Sequence, residues 1–143
     1  MRNNEKSTKT HTRTINPALG LLGILGLLGF LGFVPQVFNL TEVLTVPSFF
    51  FFFAFFGFFG FYYEGKMSHT LIDERYRANA YRAEAIANKA SLIIIVTTSV
   101  IAMSLLRLNT YDMVGILIAV IGIAFGLSVF LSQYLLYRFE NEE

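Results

Sequence analysis

At 143 residues the chain has the length of one domain, yet 55% of it is hydrophobic and only 15% charged, with a mean hydropathy of +0.57, which argues against a soluble globular protein. The absence of cysteine excludes disulfides, thiol catalysis, thiolate metal sites and lipoprotein anchoring. The formal net charge of +1, with no basic patch interleaved with stacking aromatics, speaks against direct nucleic-acid binding.

The charged residues are clustered and leave four uncharged stretches, 15–41, 43–63, 90–106 and 113–137. A chain this small has no polar shell with which to cover four helices that are apolar all round, so the expected partner surface is the lipid bilayer. The expected fold class is therefore all-α: a polytopic membrane protein with four transmembrane helices at about 18–34, 47–63, 90–106 and 113–137, the third extended into the cytoplasm. A span needs about 20 residues at roughly 1.5 Å of rise per residue to cross a hydrocarbon core of about 30 Å. The first three apolar cores fall slightly short of that, a mismatch that thinning or flanking residues can absorb.

Residues 1–16 read as a basic cytoplasmic tail, and residues 17–143 as a single four-helix membrane domain. The first 14 residues lack apolar periodicity and are expected to be disordered near anionic headgroups. Asn16-Pro17 supplies an N-cap and a first-turn proline for the first helix. That apolar run ends at Val34-Pro35-Gln36-Val37 without a small-x-small cleavage site, so it reads as an anchor and not as a cleaved signal peptide.

In the first span Gly20, Gly23, Gly26, Gly29 and Gly32 recur at every third residue. The second span carries ten Phe between Phe49 and Phe61, with Ala54, Gly57 and Gly60 again three apart. Collagen is excluded because it requires abundant proline and solvent. On an α-helix a three-residue step turns about 300°, so the glycines would spiral, whereas a short stretch of 3₁₀ helix would align them. The expectation is an α-helical hairpin whose glycine hollows accept Phe rings from the second helix at close approach. The second helix is expected to end at Gly65, a residue suited to a left-handed C′ position.

Ser68 or Thr70 is expected to cap the next helix, since Thr70 is followed three residues later by Asp73, a weak form of the capping box. Nothing breaks the chain from there to 106, which predicts one long helix with a cytoplasmic part at about 70–89. Its apolar positions Ile72, Tyr76, Ala83, Ile86 and Ala90 recur at helical spacing, with Asn79 the one polar interruption. The fourth helix follows a turn at 107–112 and carries Gly115, Ala119, Gly122 and Gly126, a small-xxx-small pattern of close helix contact that could join helices within one chain or across a homo-oligomer. The glycines singled out for helix packing are thus Gly20, Gly23, Gly26, Gly29, Gly57, Gly60, Gly115, Gly122 and Gly126, together with Ala119.

Orientation follows from the basic residues, which stay on the cytoplasmic side. With four spans, Arg2, Lys6, Lys9 and Arg13, then Lys66, Arg75, Arg77, Arg82 and Lys89, then Arg138 all fall on one face, against Arg107 alone on the other. That places both termini in the cytoplasm of a cell membrane.

Chemistry is not legible in this sequence. Ionisable groups at membrane depth are expensive and survive mainly for function, and none of the four spans contains one. His11 and His69 have no partner at metal-ligand spacing. There is no HExxH, GxSxG or phosphate loop. No catalytic, cofactor or metal residues are expected, and the protein is not expected to be an enzyme. The polar start of the long helix, Asp73, Glu74, Arg75, Tyr76, Arg82 and Lys89, is the candidate partner-binding surface.

The Gly-rich segment 20–33, the Phe-rich segment 49–61, Asp73-Glu74-Arg75 and Lys89-Ala90 together resemble a family of small Gly/Phe-rich bacterial integral membrane proteins of unknown function, over most of residues 18–106. The resemblance implies no catalytic activity. It does imply a small cytoplasmic helix-turn-helix regulator of the Cro/CI type as a partner. The expected function is protein–protein interaction that sequesters or regulates a cytoplasmic partner; the alternative is an immunity, resistance or transport-accessory role.

Overall fold

The computed structural model describes residues 10–34, 47–105 and 110–142. Over them the fold is helical, apart from one isolated antiparallel bridge between His11 and Leu71. Two 3₁₀ helices come first, η1 (Pro17–Phe33) and η2 (Pro47–Phe59), and η2 runs on into the short α1 (Gly60–Lys66). Two long helices follow, α2 (Glu74–Leu105) and α3 (Thr110–Glu142). Residues 1–9 and 35–46 lie outside the described residues, as does the first part of the turn expected at 107–112, whose last residues already belong to α3.

The hairpin of η1 and η2 is 3₁₀ throughout, not α, and the three-residue repeat is the reason. In a 3₁₀ helix residues i and i+3 eclipse, so the side chains form three straight rows. On η1 one row is glycine, buried at Gly20, Gly23, Gly26 and Gly29. On η2 the matching row is aromatic, and the two run antiparallel in step. A Cβ built on Gly20 would meet Tyr62, on Gly23 Phe59, on Gly26 Phe56, on Gly29 Phe53 and on Gly32 Phe50. An α-helix would rotate successive glycines off this line and break the match. Each ring thus lies on a backbone where any side chain would separate the helices, and the rings of Phe50, Phe53, Phe56 and Phe59 stack on one another at 6.0–6.3 Å.

The 3₁₀ geometry also changes the length. With a rise of about 2.0 Å per residue the 17 residues of η1 extend about 34 Å, where an α-helix would reach about 25 Å. The 13 residues of η2 and 7 of α1 together cover about 36 Å. The other two rows of η1 stay exposed and are wholly apolar over most of their length, including Leu21 (66%), Leu27 (55%) and Phe30 (55%).

A second row, Ala54 and Gly57 of η2 continued by Gly60 at the start of α1, serves α3. Gly57 lies against Val129 and the backbone of Gly126, and Gly60 against Val129, Phe130 and Gln133. From the other side Gly122 meets the Phe50 carbonyl and Gly126 the carbonyls of Phe53 and Ala54. The small-residue pattern of the fourth helix is therefore used within the chain, against η2. The four long elements form a row in which η1 packs on η2, η2 on α3, and α3 on α2, with α1 bridging η1 and α3. Two of them, α2 over Glu74–Ser104 and α3 over Asp112–Glu142, are long and apolar enough to cross a membrane as α-helices.

The ends of the elements differ in part from expectation. Asn16 caps η1 as expected, its side chain accepting from the Ala18 N–H at 2.9 Å. Gly65 is not a left-handed cap: it lies inside α1, closely packed on Pro17. The left-handed residue is His69, with φ 66°, in the turn that follows. Thr70 does not cap α2. Its N–H is taken by Thr12 Oγ1, and Asp73 caps instead, its carboxylate accepting from the Tyr76 N–H at 2.7 Å. Residues 10–15 of the tail are ordered against this turn: the Thr12 N–H donates to the Thr70 carbonyl and the Ile72 N–H to the Thr10 carbonyl.

Candidate interaction surface

The first turns of α2 run beside the last turns of α3, and small side chains set how close they come. Asn79, Ala83, Ala87 and Ser91, at four-residue steps, are all buried. Ala83 packs with Leu136 and Met67 in a cluster flanked by Tyr76, Ala80, Leu135, Tyr137 and Phe139. Asn79, expected as an interruption of the apolar face, opens the buried stripe and donates to Glu140 Oε1 at 2.7 Å. Ile86, expected on that face, is 42% exposed. The buried stripe follows small size and not apolarity, which rotates it away from the expected line. The polar end of α2 therefore does not present an open apolar face, because its own chain covers it.

This packing sorts the six candidate partner-binding residues. Asp73 is a helix cap. Tyr76 is half-buried in the Met67 cluster, and burial raises its phenol pKa above the ordinary value, with the carboxylates of Glu64 and Glu140 adding to the shift. Arg82 lies over the Phe139 ring at 4.6 Å. Glu74, Arg75 and Lys89 are exposed. A residue not anticipated from the sequence is Tyr81, 72% exposed on the face opposite the buried stripe. Ala78 and Ala85, one turn to either side of it, are exposed as well, as are Arg77 and Glu84 beside them. The spacing Ala78-x-x-Tyr81-x-x-x-Ala85 marks that face once the buried stripe is placed.

Next to this surface lies an aromatic and basic cluster. Tyr63 meets Phe130, Tyr134 and Tyr137 at ring-centroid distances of 5.2–6.0 Å. The Lys66 ammonium sits over the Tyr62 ring at 4.4 Å and the Tyr137 ring at 5.5 Å; hydrogen bonding to Tyr62 raises its pKa above the ordinary value. Arg13 donates to Glu64 at 2.8 Å, which raises the guanidinium pKa.

Deeper along α2 and α3 the polar groups are paired with each other. Ser91 donates to the Ala124 carbonyl at 2.8 Å, and Ser128 to Asn88 Oδ1 at 2.7 Å. Among the described residues no buried side-chain nitrogen or oxygen lacks a partner. Nor do these residues include three or more His, Asp or Glu placed to hold a metal ion.

No protein-family model, no curated protein and no solved structure matches this chain.

Proposed function

We propose that this is a membrane protein whose four long elements all cross the bilayer, with both ends of the chain on the cytoplasmic side, and that it acts by binding and not by catalysis. The outer face of the first turns of α2, held in place by α3, retains a soluble protein at the membrane. Four crossings are supported by the 3₁₀ rise, which gives η1 and the combined η2–α1 about the length that a hydrocarbon core of roughly 30 Å requires. They are also supported by the two exposed apolar rows of η1, an apolar surface far larger than water tolerates on a monomer. The basic residues, ten on one face against one on the other, support the orientation.

The observation that carries the binding role is Tyr81. An exposed tyrosine with Ala78, Ala85 and Arg77 at the neighbouring positions of its helix face has the composition of an interface anchor, because it offers a large contact area at little entropic cost. The helix beneath it is fixed by the Asn79–Glu140 and Ala83–Leu136 contacts, so its geometry is preorganised. The hydrogen bonds from Ser91 to the Ala124 carbonyl and from Ser128 to Asn88 support a structural role for those groups over a permeation path. A helix-turn-helix regulator is the partner class that the sequence resemblance implies.

Affinity capture from detergent-solubilised membranes tests the proposal. The wild-type chain is expected to retain a soluble protein that is reduced roughly tenfold or more by Tyr81→Ala, the effect of truncating an interface anchor, with a smaller reduction for Arg75→Ala. Recovery of the same proteins in all samples, or of none in any, would contradict it.

A further inference from the structure

We propose that the groove beside Tyr62 binds an anionic phospholipid, its acyl chain lying in the groove and its phosphate on Lys66. The groove is lined by Pro17, Ala18, Gly20, Leu21, Phe59 and Tyr62 and encloses about 310 Å³. It exists because Gly20 offers no side chain where η1 passes Tyr62. Its lining is almost wholly apolar, so a free anion gains nothing from it and a hydrocarbon chain does.

Tyr62 joins the two halves of the site. It forms a wall of the groove and also carries the Lys66 ammonium at 4.4 Å. The groups that act on that ammonium are the tyrosines Tyr62, Tyr63 and Tyr137. The acid nearest in sequence, Glu64, is engaged by Arg13. A cation seated on the ring that walls the groove, at the end of a spanning element, sits where the phosphates of a leaflet lie. Charge complementarity selects a headgroup with net negative charge, since a zwitterionic lipid brings its own cation to the same place.

The inference rests on the four-crossing reading, which puts Lys66 at the bilayer surface. Its test is native mass spectrometry of the intact chain, purified in mild detergent and equilibrated with equal amounts of phosphatidylglycerol and phosphatidylcholine. The expected result is one retained lipid, with phosphatidylglycerol favoured about fivefold, as one basic residue at a membrane surface provides. Lys66→Gln is expected to bring the ratio close to one while lipid is still retained. Ala18→Phe, or Leu21→Trp should that variant not fold, fills the groove from its exposed edge and is expected to remove lipid of both kinds. Excess inorganic phosphate is expected to displace nothing. Equal retention of the two lipids by the wild-type chain, an unchanged ratio in Lys66→Gln, or full retention by a folded groove-filling variant would overturn the site. The measurement is made in detergent, so its failure leaves the number of crossings to be decided separately by labelling.

Discussion

Gly26 of η1 and Phe56 of η2 set the register of the first hairpin: a Cβ placed on Gly26 would lie 2.5 Å from Phe56 Cδ1 and 2.7 Å from its Cε1 and Cγ. The ring stacks on Phe53 and Phe59 within its own row, so displacing it disturbs both neighbours. Adding even one methyl group must push the helices apart. Gly26→Ala is therefore expected to destabilise the folded chain by about 1–3 kcal/mol, the usual cost of overpacking. Leu27→Ala, on an exposed row, is expected to change stability by under about 0.5 kcal/mol. Thermal unfolding of both variants in the same detergent checks this, and equal losses would show that glycine size is not what holds the hairpin.

The 3₁₀ geometry makes a direct metrical prediction. Ala18 and Phe33 are both exposed and close to opposite ends of η1. Spin labels on cysteines at these positions are expected to report a backbone separation of about 30 Å, whereas an α-helix would give about 22 Å. The chain has no cysteine of its own, so the labels are unambiguous. A distance in the α range would refute the row-on-row packing.

Asp73 acts as the cap of α2, and its removal has a local signature. Asp73→Ala is expected to cost about 1 kcal/mol and to speed amide hydrogen exchange over residues 74–77, while Asp73→Ser largely restores protection. Glu74→Ala, one residue away and exposed, is expected to leave exchange unchanged. If both alanine variants behave alike, Asp73 is not the cap.

Asn79 and Glu140 fasten the start of α2 to the end of α3. A double-mutant cycle with Asn79→Ala and Glu140→Ala is expected to yield a coupling energy of about 0.5–1.5 kcal/mol. Additive losses would place the two side chains out of contact.

The sequence shows much of this fold because several of its signals are local. Asn16-Pro17 starts η1, and the lack of glycine or proline from 70 to 114 leaves α2 unbroken. The glycine repeat points to Phe rings seated on glycine backbone, which the structure shows; that a 3₁₀ winding would align the glycines is legible as well, but the sequence alone favours an α-helical hairpin. A single 3₁₀ strand of sequence looks like a poor α-helix; only two matched repeats packed in step make the tighter winding favourable, and that is a tertiary effect. The same holds at the turn after α1. Gly65 has the residue type for a left-handed cap, yet close contact with Pro17 requires its missing side chain inside the helix, and His69 takes the positive φ instead. Tyr81 does not stand out in the sequence because apolar periodicity draws the buried face through Ile86, whereas the actual stripe of Asn79, Ala83, Ala87 and Ser91 is selected by size. The ordering of residues 10–15 depends on partners more than fifty positions away, which no local pattern encodes.

Whether the η1–η2 hairpin crosses the bilayer decides the account. Single cysteines placed at Asn39, between η1 and η2 in sequence, and at Glu142, at the end of α3, can be probed in intact cells with a membrane-impermeant maleimide. Four crossings require Asn39→Cys to be labelled from outside and Glu142→Cys to be labelled only after the membrane is opened. Labelling of both positions from the same side would mean that the hairpin does not cross, and would contradict the account at its base.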